Sequence, residues 1–141
     1  MEPFPTIYWV TNPRVKALIS KLELEKMGLE LEQRLKESAN DLESMKKAHQ
    51  EYGNERLDLI TSSSKDWKWI QEKGWEPAFA SSRGVAGIRN LASIKCLHAH
   101  AAHYWSGCQH NIVGKLVADK VSSMMMTMMM LNPNNNNNKE E

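Results

Sequence analysis

The sequence predicts a mainly α fold: one small helical domain carrying one short N-terminal strand. Three observations point there. Apolar residues recur at three- and four-residue spacing over most of the chain, capping residues precede those runs, and only one short stretch is rich in β-branched and aromatic side chains. The length of 141 residues and the 41% hydrophobic content suit a single ordinary core. The expected domain covers residues 3–122, and the Met- and Asn-rich stretch 123–141 is expected to be a disordered low-complexity tail.

Ile7-Tyr8-Trp9-Val10, set between Phe4-Pro5 and Asn12-Pro13, reads as a short buried strand. Asn12 then caps a helix with Pro13 at its first position, where proline forfeits only an amide that has no helical partner anyway. Val15, Leu18, Ile19 and Leu22 form its apolar face, and Gly28 is the expected stop. A long helical pattern follows from Leu29 to about Ile60 through Leu31, Leu35, Leu42, Met45 and Tyr52, with Glu32/Lys36 and Glu43/Lys47 paired on the wet side. Gly53-Asn54 is the expected point of bending. The apolar positions do not hold a strict heptad, so packing within the domain is preferred over a coiled coil.

Ser62-Ser63-Ser64 ends the pattern. A short helix is expected from Asp66 to Gly74, with Trp67, Trp69 and Trp75 as core or staple residues. The run from Ser81 to Asn90 is a glycine-punctuated loop holding Arg83 and Arg89; it lacks the glycine, lysine and hydroxyl spacing of a P-loop and is not a dinucleotide fingerprint. A last helix is expected from Ile112 to about Ser122.

Eighteen basic and 17 acidic side chains leave a formal charge of +1, so no long-range field draws in nucleic acid or an anionic membrane. The longest apolar run, Met124 to Leu131, is interrupted by Thr127 and falls far short of the roughly 20 residues a membrane span needs. Cys96 and Cys108 are too few for a disulfide framework, and no basic-then-apolar leader is visible, which points to the cytoplasm.

The segment Lys95 to His103 concentrates the chemistry. With Cys96 at zero and about 100° per residue, His100 falls near roughly 40° and His103 near roughly 340°, while His98 points to roughly 200°. A thiolate with two imidazoles suits zinc or ferrous iron. A fourth ligand would come from His49, Cys108, His110 or a carboxylate. Two other accounts use the same residues. Cys96 is then a buried small hydrophobe with His100 and His103 hydrogen-bonded inside the core, or it is a nucleophile whose thiolate an imidazole favours, with Arg89 or Lys95 holding an anionic substrate.

Several strings carry a family resemblance: Pro3 through Pro13, Leu22-Glu23, Ala48 through Tyr52 with Glu55-Arg56, Gly84 through Arg89, Lys95 through His98, Ala102-His103, and Asn111 through Gly114. In this order they resemble the mainly bacterial family known as domain of unknown function 501, which has no established activity. The resemblance centres the site on Cys96, His98 and His103, treats the position of His100 as variable, and brings in His49 and Arg56. His98 would join Cys96 and His103 only if the helix begins late, so His98 and His100 stand as competing choices.

Members of the family carry a further N-terminal segment with an Arg-Cys-Pro-type run. This sequence starts at Met1-Glu2 without it, which suggests either a truncated gene or a lost thiol donor; restored, the segment would make the fold α+β by pairing with the strand.

The sequence thus predicts a metal site drawn from Cys96, His98, His100, His103 and His49, with Arg83, Arg89, Lys95 and Arg56 as anion-binding candidates. The expected activity is metal binding, which could support hydrolysis of a phosphorylated or otherwise anionic small substrate near Arg83 and Arg89. The alternative is a non-enzymatic interaction protein that docks a protein partner through helix 29–60.

Overall fold

A computed structural model describes residues 3–132, which contain six α-helices: α1 (Pro13–Leu24), α2 (Met27–Glu37), α3 (Ala39–Thr61), α4 (Ser64–Glu72), α5 (Leu97–Trp105) and α6 (Ile112–Leu131). Among these residues no helix is long and apolar enough to cross a membrane. The mainly α class is the one the sequence predicts.

The helix starts follow their caps. Asn12 Oδ1 accepts from the amides of Arg14 and Val15 at 3.0 and 3.1 Å, and Pro13 occupies the first turn as expected. Where the sequence suggested one long helix from Leu29 to Ile60, there are two. The break falls at Ser38, not at Gly53. Ser38 is extended at φ −118° and ψ 102°, and its hydroxyl accepts from the Asp41 amide at 3.2 Å. A serine that caps a new helix competes with continuation of the old one. Gly53 sits undisturbed within α3, where its missing Cβ lets the Ser81 carbonyl come into direct contact.

The expected strand is absent. Residues 7–10 are irregular, with the Ile7 amide donating to the Tyr52 hydroxyl at 2.8 Å and Trp9 left 65% exposed. A lone extended segment has no ladder to satisfy its backbone, so a side-chain hydroxyl takes one amide instead. Of the two roles expected for Trp69, the core one is not taken: it is half exposed and meets Trp75 edge-on at 5.1 Å. Finally, α6 runs past Ser122 to Leu131, with Met124 and Met125 packed against the core. The rest of the expected tail, 133–141, lies outside the described residues.

The main core gathers Leu18, Ile19 and Leu22 of α1, Leu31 and Leu35 of α2, Met45 and Ala48 of α3, Leu97 and Ala101 of α5, and Val113, Val117 and Val121 of α6. Helix α5 is the central element: Leu97, Ala99, His100, Ala101, Ala102 and His103 are all buried, and it packs most extensively on α6. Gly114 permits that approach, because a Cβ there would strike the His100 carbonyl.

Candidate functional site

The late helix start decides how the Cys/His segment is arranged. Cys96 is extended, at φ −147° and ψ 113°, and α5 begins at Leu97. Cys96 therefore escapes the helical phase that would have aligned it with His100 and His103. It faces α1 together with His98, and one ligand-type atom each from Glu23, Cys96 and His98 lies within 4.8 Å of the others. Glu23 is the member that reading the sequence missed. Its Oε1 accepts from the Leu97 amide at 3.0 Å and lies 3.0 Å from His98 Nδ1. The far side of the His98 ring is also held, with Nε2 at 3.1 Å from the Lys16 carbonyl and 3.3 Å from Ser20 Oγ. The only forewarning was Leu22-Glu23 among the strings of the resemblance.

Glu32 performs a parallel task, accepting from the Ile94 amide at 2.8 Å. The two carboxylates thus fasten the extended stretch 94–97 to the first helices. Beside them opens a cleft of about 290 Å³ whose walls include Glu23, Glu32, Lys26 and Lys95.

His49, His100 and His103 occupy a separate, buried cluster. The His49 and His100 rings meet edge-on at 5.6 Å, and His103 stacks on Tyr8 at 6.2 Å and lies edge-on to Tyr52 at 4.9 Å. Asn111 braces this group: its Oδ1 caps α6 by accepting from the Gly114 amide at 2.8 Å, and its Nδ2 donates to His103 Nδ1 at 3.1 Å. His100 Nδ1 is 3.2 Å from the same amide group. Burial disfavours the charged ring in each case. It pushes His49 down to about 4, helped by the neighbouring His103, and His100 down to about 3; His103 falls to about 4 although Glu55 and Glu51 pull the other way. The three rings do not gather into a ligand set with Cys96: among the described residues the Glu23, Cys96 and His98 group alone meets the spacing a metal ion needs.

The remaining candidates scatter. Arg56 is 2% exposed, and its guanidinium donates to four backbone carbonyls, those of Pro5, Gly84, Ala80 and Arg83, at 3.2, 3.1, 2.9 and 2.6 Å. That occupation makes it a clamp on the loop and leaves its terminal nitrogens committed to the chain itself. Lys95 borders the cleft at Glu23, whereas Arg83 and Arg89 are not among the lining residues of that cleft. Cys108 and His110 meet on a third carboxylate: Glu51 Oε2 accepts from Cys108 Sγ at 3.2 Å, and Oε1 lies 2.7 Å from His110 Nδ1. Burial, followed by the hydrogen bond to Glu51 and then its charge, raises the Cys108 thiol to about 11.

Among known proteins, no curated protein and no solved structure matches the chain. A family model described as a protein of unknown function (DUF501) matches residues 1–119, a stretch that takes in Glu23, the whole of α5, Asn111 and the Arg56 clamp. The chain belongs to the DUF501 family of proteins of unknown function.

Proposed function

We propose that Glu23, Cys96 and His98 hold a divalent ion, zinc or ferrous iron, and that the adjoining cleft admits a small anionic molecule for hydrolysis. The observation that carries the reading is the His98 ring. Histidines that bind metals through one nitrogen nearly always donate the other N–H to a fixed acceptor, and the Lys16 carbonyl stands 3.1 Å from Nε2 while Nδ1 faces Glu23.

The donor set fits. Oxygen, sulfur and nitrogen ligands bound at 2.0–2.3 Å lie about 3.5 Å apart around a tetrahedral ion, so three atoms within 4.8 Å need only small side-chain rotations. Glu23 keeps its second carboxylate oxygen for the ion while Oε1 continues to hold the Leu97 amide. Three protein ligands leave one position open, the pattern of catalytic zinc sites. When bound, the ion supplies the Lewis acidity for hydrolysis. Lys26 and Lys95 stand on the cleft wall to receive a negative group.

The docking alternative has less support. The outer side of α3 exposes Glu43, Lys46, Lys47, Gln50, Asn54 and Asp58, and the exposed leucines of the 29–60 stretch, Leu29 and Leu59, lie at its two ends and form no continuous apolar stripe.

Titration of the full-length apoprotein with cobalt(II), which reports a thiolate ligand as a charge-transfer band, tests the site. One equivalent is expected to bind. Cys96→Ser should abolish the band, and Glu23→Gln and His98→Ala should each weaken binding at least about tenfold, while His103→Gln and Cys108→Ser leave it intact. Absence of the band in the parent protein, or a band that survives Cys96→Ser, overturns the proposal.

A further inference from the structure

A second cleft, of about 350 Å³, is lined by Lys46, His49, Gln50, Asn54, Ser81, Ser82 and Leu91. From its composition and rigidity we infer that it binds the phosphate group of a small molecule.

The polar groups are numerous and uncommitted. None of the side chains of Lys46, Gln50, Asn54, Ser81 and Ser82 makes a hydrogen bond or ion pair elsewhere among the described residues, and no carboxylate lines the cleft. His49 is 1% exposed, and its Nδ1 accepts from the Val85 amide at 3.0 Å. That bond fixes the proton on Nε2, which is buried and has no hydrogen-bond partner. The Leu91 backbone exerts a weak pull on the ring, but no hydrogen bond of ordinary geometry joins them. A buried N–H left unsatisfied is costly, and a ligand oxygen would satisfy it.

The wall is also held in advance. Ser81 and Ser82 form the tip of a turn closed by the Arg83 amide on the Ala80 carbonyl at 3.0 Å. Arg56 grips the carbonyls at both ends of that turn, and the Ser81 carbonyl lies against Gly53. Two hydroxyls, two carboxamides and one ammonium therefore line a common space, with the buried His49 ring in its wall and a small movement needed to open the Nε2–H to a ligand oxygen. A phosphate group offers three terminal oxygens with two or more lone pairs each, enough to engage donors from both α3 and the loop; a carboxylate offers two oxygens. The single cation, Lys46, supplies the charge.

The test uses full-length protein with a chelator present, so that no anion held by a metal at Glu23, Cys96 and His98 enters the signal. Histidine-labelled protein is titrated with inorganic phosphate while the His49 Nε2–H resonance is followed. A saturable shift with a dissociation constant of about 1 mM or tighter is expected. Lys46→Gln and His49→Asn should each weaken binding about tenfold, read calorimetrically for the latter. Asparagine places its Oδ1 where Nδ1 stood and preserves the Val85 bond, and Lys46→Gln is an exposed substitution that leaves the fold alone. No saturation by phosphate, equal saturation by acetate, or unchanged affinity in Lys46→Gln overturns the assignment.

Discussion

Acidification provides a direct reading of the buried histidine cluster. His49, His100 and His103 are at most 2% exposed, and burial holds their rings neutral at about 4, about 3 and about 4 against an ordinary value of 6.5. The native state thus binds fewer protons than the unfolded state between these limits. Stability is fully present above about pH 6.5 and is lost as the pH falls toward about 4, because the unfolded chain takes up the protons first. At pH 5 each unfolded histidine gains about 2 kcal/mol from protonation that its native counterpart forgoes, so the three together remove about 6 kcal/mol. Domains of this size are stable by about 5–15 kcal/mol. Urea unfolding followed by tryptophan fluorescence at pH 7.5, 6.5, 5.5 and 5.0 should therefore show the midpoint collapsing across that range. A midpoint that holds steady down to pH 5, with the loss confined below pH 4, would refute the burial argument.

Two further outcomes are expected. Arg56→Lys should lower stability by at least about 3 kcal/mol, because an ammonium cannot reach four carbonyls at once and leaves buried acceptors unpaired; a thermal melt within a degree of the parent would contradict this. In a Cys96→Ala background, Cys108 should alkylate on the order of a hundredfold more slowly than a free thiol at pH 7.5, and Glu51→Gln should speed it, since the carboxylate is one source of the raised value. Unchanged labelling in Glu51→Gln would remove Glu51 from the account.

The helices were legible where caps and apolar spacing agreed, as at Asn12 and through Leu18, Ile19 and Leu22. They were misjudged where two local signals competed. Ser38 followed by Asp41 is a capping pair, and it outweighs a glycine that α3 absorbs without bending. The Ile7 to Val10 stretch has strand composition, but composition cannot provide a neighbouring strand. The Cys/His segment was found from sequence, whereas its geometry turned on a single residue. With Cys96 one position outside α5, the phase that pairs it with His100 no longer applies, and the partner across the interface is a glutamate 73 positions earlier in the chain. Arg56 carried a readable signal, since it continues the buried face of Met45, Ala48, His49 and Tyr52 at helical spacing. A charged residue on that stripe has to find acceptors indoors.

The Arg56 clamp also bears on how the molecule comes apart. Its four carbonyls are contributed by residues 24 to 51 positions distant, on both sides of it in the chain. Releasing either the N-terminal segment or the 80–84 loop alone would strand a buried cation with part of its acceptors gone, so partial opening gains little entropy for a large penalty. The loop, the N-terminal segment and the middle of α3 are thereby bound into one cooperative unit. Amide exchange at Val85 and Ile7 is set to follow global unfolding, although Ile7 lies in an irregular stretch and Val85 only opens a single 3₁₀ turn.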